Sequence, residues 1–111
     1  MDYKGEWESK DVGPDYGRVL VLFEPVTEGD IGGLLILDAD AGSKLLGTAN
    51  DVSIYFSFKG FKHVGVFNGR PVGDTIRGSL DVGKGTDKKS YSIILRRKKE
   101  REEIDLEAYS R

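Results

Sequence analysis

The residues able to do chemistry are few, and each lacks part of the set it would need. His63 is the single histidine and there is no cysteine. Disulfides and thiolate chemistry are therefore excluded, and no Ser-His-Asp set can be singled out among the scattered serines. Gly78-Ser79-Leu80-Asp81-Val82-Gly83-Lys84-Gly85 comes near the phosphate-cradling pattern G-x-x-x-x-G-K-[ST], but glycine holds the hydroxyl position. Such a loop must also open a helix whose amides face the phosphates, whereas Asp87-Lys88-Lys89 leads into a strand pattern. Asp38-Ala39-Asp40-Ala41-Gly42 is similar to the start of a calcium loop, yet Ala49 stands where the bidentate glutamate is required. Hydrogen bonds within a turn are the better use of these carboxylates. Arg70 and Asp74 are the only charged groups to nominate for chemistry on a buried carboxylate. The expectation is an absence of catalysis, cofactor and metal.

Binding remains. Trp7, Phe56, Phe58, Phe61 and Phe67 could wall an apolar site, with His63 and Tyr91 as polar handles. Whether they meet depends on which faces they share, and the sequence alternates with a period of two. Tyr3, Gly5, Trp7 and Ser9 fall on one side of a strand, Lys4, Glu6, Glu8 and Lys10 on the other. Likewise Val52, Ile54, Phe56 and Phe58 point one way, and Ser53, Tyr55 and Ser57 the other. His63 shares its side with Phe61, Gly65 and Phe67.

A second regularity is a glycine between two bulky residues on one face: Ile76-Gly78-Leu80, Ile31-Gly33-Leu35 and, more loosely, His63-Gly65-Phe67 and Tyr3-Gly5-Trp7. Glycine within a strand costs stability unless it relieves crowding or permits a bend. Four such strands point to one sheet coiling tightly on itself. Strands are expected over 3–9, 18–24, 31–38, 44–48, 52–58, 61–67, 74–81 and 90–97. Val12-Gly13-Pro14-Asp15 reads as a turn, Pro25 ends the second strand, Asn68-Gly69 is a hairpin signal, and 83–89 is a polar loop. The fold class is thus all-β, an antiparallel up-and-down meander of about eight strands closed into a small barrel over 1–97. Residues 98–111 form a charged tail or short helix. With 111 residues the chain is one domain.

Residues 1–55 carry 4 Lys/Arg against 11 Asp/Glu, and residues 56–111 carry 13 against 8. The basic excess lies mainly between Lys84 and Arg101, but stacking aromatics do not interleave with it, so nucleic acid is not an expected partner. The opening MDYKGEWESKD has no apolar signal region, and no apolar run approaches the roughly 20 residues of a membrane helix. A cytoplasmic protein with no membrane partner is expected.

Gly5-Glu6-Trp7, the repeats Ile31-Gly32-Gly33-Leu34-Leu35 and Ile76-Arg77-Gly78-Ser79-Leu80, and the closing Ile93-Ile94-Leu95-Arg96 together resemble lipocalin-like β-barrels. The likeness is closest to the small barrel domains that accompany some bacterial hydrolases, and it spans residues 3–97. It implies that Trp7 packs across the closed end of the barrel. The G-x-W opening is also similar to haem-binding nitrobindin barrels, which continue G-x-W-x-G-x-G. Ser9 and Asp11 occupy those glycine positions, so that likeness stops at Trp7.

Two functions follow. One is a non-enzymatic binding module that holds a small hydrophobic ligand in the barrel interior. The other is a homo-oligomeric structural or protein-interaction domain whose barrel is filled by its own side chains. For the second, Leu34, Ile36, Ile94 and one face of the second strand point outward when Trp7, Leu35, Ile76 and Leu80 point inward, making an apolar patch that needs a cover. The tail could supply Ile104, Leu106 or Tyr109. A second copy could instead form a dimer, with the acidic first half of one chain near the basic second half of the other.

Overall fold

The computed structural model describes residues 3–10, 17–27, 29–37, 42–61, 63–84 and 86–98. The turn at 12–15, the carboxylates at 38 and 40, and the tail from 99 with Ile104, Leu106 and Tyr109 lie outside the described residues. Eight antiparallel strands follow in chain order: β1 (Gly5–Ser9), β2 (Val19–Thr27), β3 (Asp30–Leu37), β4 (Ser43–Ala49), β5 (Ile54–Lys59), β6 (Val64–Val72), β7 (Thr75–Lys84) and β8 (Asp87–Arg97). Each pairs with the next and β8 returns to β1, so the meander closes into a barrel with no free edge.

The alternation expected from the sequence places the core inside. Tyr3, Trp7, Phe23, Ile31, Leu35, Ile54, Phe56, Phe58, Phe67, Ile76, Leu80, Ile93 and Leu95 are buried, joined by Val19, Val21, Leu37, Leu45 and Val82. Across the inner face, bulk alternates with glycine on neighbouring strands. Phe23 lies opposite Gly5 and Gly33, Phe56 opposite Gly47, Phe58 opposite Gly65, and Ile93 opposite Gly78. The Phe58 ring comes so close to Gly65 that a Cβ there would stand 2.7 Å from Cζ. Large residues thus occupy space that glycines vacate, which is how a narrow barrel is filled.

Three local expectations are corrected. Pro25 does not end β2; it pairs with Ile31, and the chain bulges between Pro25 and Thr27. Asn68-Gly69 makes no turn, because both lie within β6 and pair with Ser79 and Gly78. A Cβ on Gly69 would meet the Phe67 ring at 2.7 Å, so this glycine serves packing. The turn falls instead at Gly73-Asp74, between the paired Val72 and Thr75, with Gly73 at φ 62°. Thr75 Oγ1 closes it by donating to the Val72 carbonyl at 2.7 Å. Finally, most of the polar 83–89 segment is strand, paired as far as Lys84 and Asp87.

Candidate functional site

The aromatic residues expected to wall an interior site are divided by the fold. Phe56 stacks on Phe67 with centroids 5.1 Å apart, meets Phe58 at 6.4 Å, and takes the edge of Phe23 at 5.7 Å. Phe23 in turn meets Tyr3 at 6.3 Å. These rings pack on one another inside the barrel. His63 is buried where the chain enters β6, and its carbonyl accepts from the Gly60 N–H at 2.8 Å. Tyr91 is half-buried against the core. Phe61 is corrected outright: it is 100% exposed. The reason is local, since β6 begins only at Val64 and Phe61 precedes the alternation that would have carried it inward.

Trp7 belongs to the same core and lies at the seam between β1 and β8. Its Nε1–H donates to the Tyr3 carbonyl at 2.9 Å, and the Arg97 guanidinium lies over its ring at 4.4 Å from the centroid. Arg97 also donates to the Lys4 carbonyl at 2.9 Å. Among the described residues the seam has two registered pairs, Trp7 with Arg97 and Glu8 with Arg96, and this side chain adds to its bonding. Arg97 was missed by the sequence reading; its signal was its place beside Arg96 at the end of the last apolar strand.

At the same end Tyr3 Oη donates to the Asn50 carbonyl at 2.7 Å. Burial, helped by the nearby Asp51 charge, raises its pKa above the ordinary 10.0. The folded state therefore holds this proton more tightly than the unfolded chain. That stability is present below pH 10.0 and is lost as pH climbs from there through the folded value. Tyr3→Phe is expected to be less stable at neutral pH by about 1 kcal/mol, the worth of one hydrogen bond. It should also lose less stability in alkali than wild type. Urea titrations at neutral pH and above pH 10 check this; equal alkaline losses in the two proteins would refute it.

One space open to a ligand lies on the outer face of the barrel. Register places Lys44, Lys59, Val64, Gly83 and Lys88 in one outward row across β4 to β8, with Leu46, Ser57, Val66, Asp81 and Ser90 in the next. These two rows line a groove of about 940 Å³, to which the buried Phe58 and Val82 also contribute. Its apolar part is exposed, with Leu46 at 67% and Val64 at 51%. Its rim is basic: Lys44, Lys59, Lys88 and Lys89 surround it, against Asp81, whose carboxylate accepts from Ser90 Oγ at 2.6 Å. Sequence reasoning missed this site, although period two already set Val64 and Val66 opposite the glycine face.

The remaining nominees are not assembled into a centre. Asp74 is exposed in its turn, and Arg70 is exposed opposite Arg77. Gly78 through Lys84 lie in strand β7 rather than before a helix. Among the described residues no three His, Cys, Asp or Glu side chains group as metal ligands, and no helix is long and apolar enough to cross a membrane. Leu34 and Ile36 do face outward, as does Ile94, but they form no common patch. Leu34 and Ile36 pair with Leu22 and Leu20 of β2, whereas Ile94 pairs with Arg77 on the far side of β1, beyond Glu6 and Glu8. Comparison with protein families, with curated proteins and with solved structures finds no match for this chain.

Proposed function

We propose that the chain is a non-enzymatic, lipocalin-like binding domain for a small hydrophobic ligand, and that the ligand lies in the outer groove. The observation that carries this reading is the contrast between the two candidate spaces. Inside, rings pack on rings; outside, an apolar floor of Leu46, Val64 and Val66 stays open beneath a lysine rim. Exposed apolar surface of this kind, edged by polar groups, is what a binding groove requires. The lipocalin-like part is supported by the closed antiparallel meander of eight strands.

Titration with a fatty acid and with a retinoid, followed residue by residue through amide chemical shifts, tests the placement. Shifts are expected at Leu46, Val64, Val66 and the Asp81–Ser90 pair. Leu46→Glu and Val64→Asp should each weaken binding by about tenfold or more, because each sets a charge on the apolar floor. Shifts confined to Phe56 and Phe67, or no shift with either compound, would remove the reading.

A second reading, a homo-oligomeric interaction domain, is favoured by a different observation. Leu20, Leu22, Leu34 and Ile36 form a two-by-two apolar block on the water-facing side of β2 and β3.

A further inference from the structure

We infer that two copies of this chain pack face to face through β2 and β3, about a two-fold axis that runs between these strands and parallel to them. The proposal rests on the second reading above and is independent of the ligand. Its basis is the order of one outward row. Glu6 lies opposite Leu22, Leu22 opposite Leu34, and Leu34 opposite Lys44. The row therefore reads acid, leucine, leucine, base, with the two charges one strand away from the leucine pair on either side.

A two-fold axis between β2 and β3 maps this row onto itself in reverse. Leu22 of each copy then meets Leu34 of the other, and Glu6 of each copy meets Lys44 of the other, twice over. The next row behaves the same way, with Leu20 over Ile36. An interface of this kind uses one patch on both subunits and closes after two copies. Because a barrel surface is convex, the leucines touch at the centre, while the longer Glu6 and Lys44 side chains reach across the widening gap at the rim.

The single chain has a reason to accept such a partner. Lys44 lies directly opposite Lys59, and like charges opposite one another on a sheet repel. Glu6 from a second copy answers that charge. Within its own chain Glu6 reaches only Lys98, at 3.9 Å and in an exposed setting, where an ion pair contributes little. Leu34 is 38% exposed, a branched apolar side chain left in water on a sheet face otherwise edged by charge. Val64, Val66 and Lys88 sit two or more strands farther round, so the groove beyond Lys44 and Leu46 stays uncovered.

Light scattering on a sizing column, with the full chain over a concentration series, should give the mass of two chains for wild type. Glu6→Lys and Lys44→Glu should each weaken the dimer by about tenfold or more, since each turns two attractive contacts into two repulsive ones. The double variant, Glu6→Lys with Lys44→Glu, restores self-complementarity and should recover the dimer. Mixing the two single variants should yield a one-to-one heterodimer. All positions changed are exposed, and far-ultraviolet circular dichroism confirms that each variant keeps its sheet. A single-chain mass for wild type at every concentration overturns both the proposal and the oligomeric reading. A wild-type dimer indifferent to both single swaps overturns the proposed axis and leaves that reading standing.

Discussion

Alanine at Gly33 should lower the unfolding free energy by about 4 kcal/mol, a large part of what a domain of this size possesses. The backbone at Gly33 has φ +137°, and a Cβ there would stand 1.8 Å from the Leu22 carbonyl oxygen and 2.9 Å from its carbon. The backbone conformation alone costs a non-glycine residue about 1–3 kcal/mol. The collision adds a similar amount, about 1–3 kcal/mol for an overpacked site, and its other party cannot rotate away because it is main chain. Relief requires β2 and β3 to separate around Phe23, which faces Gly33 in the ladder. Gly42→Ala is the matched control. Its added methyl would meet Ile36 Cγ1 and Leu34 Cδ2 at 3.5 Å, an ordinary contact, so its effect should stay within about 0.5 kcal/mol. Urea unfolding followed by circular dichroism compares the pair, and equal midpoints would contradict this account of the glycines.

Trp7→Ala should cost about 3–5 kcal/mol, the range for removing a large buried aromatic. The indole is 0% exposed, and its loss also deprives the Tyr3 carbonyl of its donor and Arg97 of the ring beneath it. Trp7→Phe keeps part of the packing and part of the surface under Arg97, so roughly half the loss is expected. Trp7 is the only tryptophan, which means unfolding has to be followed by circular dichroism instead of indole emission. Damage should appear first at the seam, where β1 and β8 share two registered pairs among the described residues. Faster hydrogen exchange at the Lys98 amide, which donates to the Glu6 carbonyl at 3.0 Å, is the local readout. A Trp7→Ala protein within 1 kcal/mol of wild type would show that the seam does not depend on this ring.

The candidate site was far less legible than the fold. Trp7, Phe56, Phe58 and Phe67 were rightly placed on inward faces, but an inward face does not say whether space remains among the rings. That depends on their mutual distances, such as the 5.1 Å stack of Phe56 on Phe67. Starting the sixth strand at Phe61 puts that residue on the inward face of His63, Gly65 and Phe67, but the strand begins only at Val64. Ile94 was joined to Leu34 and Ile36 because all three face out, yet facing out says nothing about which strands are neighbours around a closed sheet.

By itself the sequence determined the eight-stranded antiparallel meander and most of its core. A period of two is a local property of each strand, and bulky residues at those positions can be buried on only one side. It also marked Gly33, Gly65 and Gly78 as positions where a strand bends or the interior needs room. Tertiary structure alone decided what that room was for: Phe58 fills it over Gly65, and the Leu22 main chain approaches Gly33. It alone decided that Asn68-Gly69 continues a strand, because the demand of the Phe67 ring for space outweighs the local preference of that pair for a turn. It alone set Glu6, Leu22, Leu34 and Lys44 side by side, since four residues spread over much of the first half of the chain become neighbours only through the register of three strand pairings.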